Sequence, residues 1–156
     1  MQNPDFLVAR ETTIAASPAR VRDYLRNLHS WEGWSPWQEL DPAMSQTYTG
    51  PQEGVGASMS WEGNKKAGAG SMRVVTDQDD LVEVDIEFRQ PFPAKNRSHF
   101  RLLPAAHDSE KTLVRWEMTG KQNLIMKVMF IVFRMKKSIS QDFDRGLAKL
   151  KQQLES

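Results

Sequence analysis

The chain has 156 residues, the length of one domain, here taken as residues 1–156, and a fold of that size buries about 68–70% of the surface its unfolded chain exposes. With 21 Lys and Arg against 20 Asp and Glu it lacks the basic excess that neutralising phosphates requires, so no nucleic-acid partner is expected. No cysteine is present, which rules out disulfides, thiol catalysis, thiolate zinc sites and iron–sulfur clusters.

The first residues, Met1 to Phe6, have neither a basic n-region nor an apolar h-region and do not read as a signal peptide. Residues 6–16 read as a strand, with Val8, Thr12 and Ile14 on one parity and Arg10 among them. Ser17-Pro18 opens a helix: the hydroxyl accepts an orphan N–H, and proline loses nothing at the first helical position. Val21, Tyr24, Leu25 and Leu28 follow at i, i+3, i+4, i+7 and form one stripe. Trp31, Trp34 and Trp37, three apart, suit a short helical turn that closes one end of the domain.

From residue 44 to 120 the period changes to two. The spacing predicts strands at 44–50, 56–63, 67–76, 80–89, 96–103 and 111–119, separated by Gly, Pro, Asn and Asp clusters. In the clearest of them Val82, Val84, Ile86 and Phe88 alternate with Glu83, Asp85 and Glu87. The three carboxylates read as a solvated row, relieved by Arg97 and Arg101 on a neighbouring strand. Leu124–Phe133, broken by Lys127, is the most apolar run. Its ten residues rise about 15 Å as a helix, half of a bilayer core, so it is a buried or interfacial segment and not a span. Residues 134–155 return to helical period, with Met135, Ile139, Phe143, Leu147, Leu150 and Leu154 on one face. Seven antiparallel strands with one apolar face and a helix with one apolar stripe bury those faces against each other, an α+β architecture.

This order of elements, with several local motifs, resembles the SRPBCC (START-like) superfamily, in its polyketide cyclase/dehydrase-like branch. The motifs are Thr13 to Pro18 with Val21; Trp31 to Trp37 with Asp41-Pro42; Tyr48 to Pro51 with Gly54 and Gly56; Trp61 to Asn64; Val114 to Gly120; and Asp142 to Lys151. The resemblance spans about residues 6–154. It implies the helix-grip fold: a seven-stranded antiparallel sheet curled around a long C-terminal helix, with two short helices after the first strand. It also implies a deep apolar cavity between sheet and helix. Relatives in this branch often carry an N-terminal membrane anchor before the first strand, and the chain begins near where such an anchor would end. Without one, the expected location is cytoplasmic.

Each candidate site residue has two readings. Gly146 lies on the apolar stripe of the last helix, where glycine costs about 1 kcal/mol relative to alanine; it serves either close contact with the sheet or space for a ligand. Trp61, Met59, Trp116, Met118, Phe88 and Phe143 either fill a core or line a cavity, where rigid aromatics suit flat or lipidic ligands. Methionines favour an adaptable interior. Arg10 shares the inward parity of Val8 and Ile14 and is the first choice for a polar anchor, although its long stem also lets it reach solvent. His29 is the one conceivable general acid/base, if it reaches a cavity mouth; His99 is expected to face outward. No pair of histidines has metal-ligand spacing, and no metal or cofactor is expected.

Three functions follow. The first is a non-catalytic binding module for a hydrophobic or amphipathic small molecule, lipid-like or polyketide-like, whose burial supplies the affinity. The second is a cyclase or dehydratase, which requires an ionisable residue inside the pocket. The third is an interaction protein that docks on a membrane or a chaperone through Leu124–Phe133, leaving an exposed apolar patch there.

Overall fold

The computed structural model describes residues 6–35, 41, 43–64, 68–90, 93–105, 108–120 and 141–155. Strand β1 (Phe6–Ile14) leads into α1 (Pro18–Leu25), a 3-10 helix (Leu28–Gly33), and strands β2 (Ser45–Thr49), β3 (Ser58–Glu62), β4 (Ala69–Gln78), β5 (Leu81–Gln90), β6 (Ala94–Ala105) and β7 (Asp108–Gly120). Helix α2 covers residues 141–155. The expected helical residues 134–140, the Leu124–Phe133 segment and Trp37 lie outside the described residues.

The seven strands form one antiparallel sheet in the order β1-β7-β6-β5-β4-β3-β2. Each of β2 to β7 pairs with its sequence neighbour, and β1 closes on β7, pairing Arg10 with Trp116 and Thr12 with Val114. Period-two patterning dictates which face goes inward. On β5, Val82, Val84 and Ile86 are buried while the acidic residues between them are not. Helix α2 answers with Phe143, Leu147, Leu150 and Leu154, all 2% exposed or less.

Local signals set the element ends. Ser17 caps α1 by accepting the Arg20 N–H at 3.3 Å, with Pro18 at the first helical position. One boundary departs from the sequence reading. Pro104 was expected to end β6, yet the strand runs through it, pairing Pro104 with Thr112 before a register shift. Pairing with β5 has already ended at Arg101, so Pro104 lies where β6 has a free edge and no β5 ladder bond needs its missing N–H.

Two charged networks brace the sheet. The Asp77 carboxylate, 7% exposed, receives Arg22 Nε and Arg26 Nε, each at 2.8 Å. These arginines sit one turn apart on α1 and at its C-cap, so they clamp helix to strand β4. Burial alone would raise the Asp77 pKa, but the two guanidiniums hold it below the usual carboxylate range. On the outer face, Arg97 pairs with Asp85 at 2.5 Å, as the sequence suggests, whereas Arg101 turns to Glu117 at 2.6 Å. His99 faces outward, between Glu83 and the Thr119 hydroxyl at 2.9 Å. Thr76 donates to the other oxygen of Glu83 at 2.7 Å. Burial would raise Glu83, but these hydrogen bonds leave it low.

Candidate functional site

The interior between sheet and α2 holds an aromatic cluster. Phe143 of α2 lies parallel to Trp116 of β7, with ring centroids 3.7 Å apart and planes 5° apart. Phe100 of β6, paired in register with Trp116, stacks 5.2 Å from its ring. Trp34 meets Trp116 edge-on at 5.3 Å and Phe100 at 5.9 Å, and Trp31 packs 4.7 Å from Trp34. The 3-10 helix therefore sends Trp31 and Trp34 into the centre of the domain, both at most 2% exposed; they do more than close one end.

A second aromatic pair sits on strands β3 and β5. Trp61 meets Phe88 at 5.5 Å, nearly perpendicular. Trp61 sits against Gly70 of β4: a Cβ at Gly70 would stand 2.6 Å from the Trp61 ring and 2.3 Å from the Glu87 carbonyl. Only glycine admits that approach. Met59 and Met72 pair across β3 and β4, and Met118 is buried on β7. Thus the structure joins Trp116 to Phe143 and Trp61 to Phe88, with Met59, Met118 and Gly146 buried on the same inner face.

Arg10 stands apart from this group. It occupies the inward parity, opposite Trp116, but its side chain is 47% exposed and reaches Asp144 of α2 at 3.4 Å. β1 is an edge strand, so a long side chain escapes past it to the helix. Among the described residues, the polar residues buried as a whole are Ser35, Ser98 and Thr112. Ser98 accepts the Trp116 indole N–H at 3.2 Å, and Thr112 donates to the Ala16 carbonyl at 2.7 Å.

A crevice of about 300 Å³ opens between the 3-10 helix and the β2–β3 loop, lined by Leu28, His29, Tyr48, Thr49, Gly50, Pro51, Gln52, Ala57 and Ser58. That volume is at the lower end of small-molecule sites. His29 stacks on Tyr48 at 3.7 Å, so it does reach a rim, although as a packing partner. Burial, with Glu32 nearby, pushes the Tyr48 phenol up to about 12. The loop is fixed by backbone: Gly54 N–H donates to the Arg26 carbonyl at 3.0 Å, and Gly56 N–H to Val74 at 2.9 Å. Gly50 (φ 79°) passes so close that a Cβ would stand 2.5 Å from the Gly56 carbonyl. The sequence motif Gly50-Pro51 with Gly54 and Gly56 signals the turn; that it walls a crevice with Tyr48 follows only from the tertiary stack with His29.

An open antiparallel sheet that grips a C-terminal helix across an apolar interior defines a protein of the helix-grip class, generally suited to hydrophobic ligands. The chain belongs to the family described as polyketide cyclase/dehydrase and lipid transport, whose model matches residues 5–155, within the SRPBCC superfamily. A comparison with the curated proteins finds no match. Among solved structures, a Thermobifida fusca protein is 17% identical, covering 95% of this chain and 92% of its own, with a TM-score of 0.68. XoxI from Bacillus cereus is 17% identical over 95% and 94%, with a TM-score of 0.67. The Aha1 dimer from Colwellia psychrerythraea is 16% identical over 96% and 96%, with a TM-score of 0.62. At these identities the likeness establishes the fold. No described helix is long and apolar enough to cross a membrane.

Proposed function

We propose that the protein is a non-catalytic binding module for a hydrophobic or amphipathic small molecule, received between the sheet and α2. The observation that carries this reading is the lining. The inner face carries Met59, Trp61, Phe88, Trp116, Met118 and, from α2, Phe143, and the buried cluster they belong to contains no carboxylate or histidine. Such a surface supplies affinity through apolar burial and offers no acid or base. Helix α2 is the movable wall: Gly146 gives it a bare patch on the buried face, and Phe143 lies against the Trp116 ring. Arg10, at the rim with Asp144, contacts an acidic end where the ligand carries one. The interaction reading rests on Leu124–Phe133, outside the described residues.

The test is a titration of the protein with fatty acids and aromatic phenols, followed by tryptophan fluorescence. A saturable one-to-one change in the wild type, lost in a folded Gly146→Leu variant, is expected. Equal binding by that variant, or no response to any member of the panel, overturns the reading.

A further inference from the structure

The three tryptophans of the central cluster differ in one respect. The Trp31 indole N–H donates to the Leu25 carbonyl at 2.9 Å, and the Trp116 N–H to Ser98 Oγ at 3.2 Å. Trp34 is fully buried, and its Nε1 has no acceptor among the described residues. A sealed indole N–H has given up its hydrogen bond to water and received nothing in exchange. Buried polar groups in native proteins find partners in the great majority of cases, so this donor calls for an acceptor that the described residues do not supply.

Its surroundings define what that partner is. Trp34 is packed among the rings of Trp31, Phe100 and Trp116, 4.7–5.9 Å between centroids. The buried cluster around Trp34 is apolar and carries no charged residue, so nothing there compensates a carboxylate or phosphate. An indole N–H donates and cannot accept. Parallel aromatic faces such as Trp116 against Phe143 favour planar contents over a flexible acyl chain. Resting on the binding reading above, we propose that Trp34 Nε1 is the specificity-determining donor of the interior site, and that the end of the ligand entering the core is planar and uncharged with one carbonyl-type acceptor oxygen. Phe143 yields its place beside Trp116 to that planar group, and the oxygen accepts a hydrogen bond from the Trp34 N–H.

The experiment compares three probes on the wild type and on Trp34→Phe: 9-fluorenone, fluorene of the same shape without the oxygen, and laurate. In the wild type, fluorenone is expected to bind about tenfold more tightly than fluorene, the worth of one buried hydrogen bond. In Trp34→Phe that preference disappears. Should the variant fail to fold, the indole N–H resonance of Trp34 in ¹⁵N-labelled wild type carries the test, shifting downfield with fluorenone and not with fluorene. Equal affinity for the two tricyclic probes, an unmoved Trp34 resonance, or laurate bound more tightly than fluorenone overturns the inference while leaving a binding module in place. No saturable binding of any of the three overturns both.

Discussion

Replacing Asp77 with alanine tests the clamp that ties α1 to the sheet and, through Arg26, to the loop beside the crevice. The variant loses two charge-assisted hydrogen bonds of 2.8 Å. Removing one partner of a buried ion pair costs about 3–5 kcal/mol. Here the arginine side chains are 27% and 24% exposed, and each keeps a second carboxylate, Asp79 for Arg22 and Glu53 for Arg26. Water and these partners recover part of the loss, so the expected cost is about 2–3 kcal/mol. For a domain of this size that lowers Tm by roughly 5–10 °C. The cost depends on pH in a definite direction. Asp77 is held below its ordinary 3.8 in the folded state, so its contribution is fully present above that pH and fades as pH falls through the lower folded value. Urea denaturation followed by tryptophan fluorescence at pH 7 and pH 3 reads both effects. A loss under about 1 kcal/mol at pH 7, or a gap between wild type and variant that does not narrow at pH 3, refutes the clamp.

Three further outcomes follow. Phe143→Ala, which empties the Trp116 face at a fully buried position, lowers stability by about 3–5 kcal/mol in urea; a loss under about 2 kcal/mol means that the stack contributes little. Gly70→Ala drives a methyl into the Glu87 carbonyl and the Trp61 ring. It costs about 2–3 kcal/mol by overpacking and red-shifts the fluorescence as Trp61 is displaced, and an unchanged spectrum and midpoint contradict that seating. Tyr48, pushed from 10.0 to about 12, contributes stability that is complete below pH 10 and is lost as pH rises towards 12. Tyr48→Phe flattens that alkaline decline, and identical alkaline curves for variant and wild type refute the assignment.

The elements were legible where one face is buried and the other wet. On β5 and β7 the alternation of Val82, Val84, Ile86 and of Val114, Trp116, Met118 reports the inner face directly, because a one-residue slip would expose every one of them. Ser17-Pro18 carries its own helix start in its chemistry. Arg10 shows where such reasoning stops. Its parity is inward, as alternation requires, yet an edge strand and Asp144 on a helix 134 residues later in the chain turn its charge to the surface. Parity places a Cβ; it does not place a guanidinium on a long stem. Likewise Trp31 and Trp34 were readable as a helical turn, but their place in the core depends on contacts with Phe100 and Trp116 far along the sequence. The unpaired Trp34 N–H and the His29–Tyr48 stack have no local signature at all.

The central claim, that the interior receives a small hydrophobic molecule, is tested most directly by native mass spectrometry of the protein isolated gently from its natural source. A non-covalent adduct is expected, one molecule per chain, released on denaturation. This species is also expected to give up its adduct to 9-fluorenone in competition. A protein that runs only at its bare chain mass, and that takes up neither fluorenone nor laurate when they are added, contradicts it.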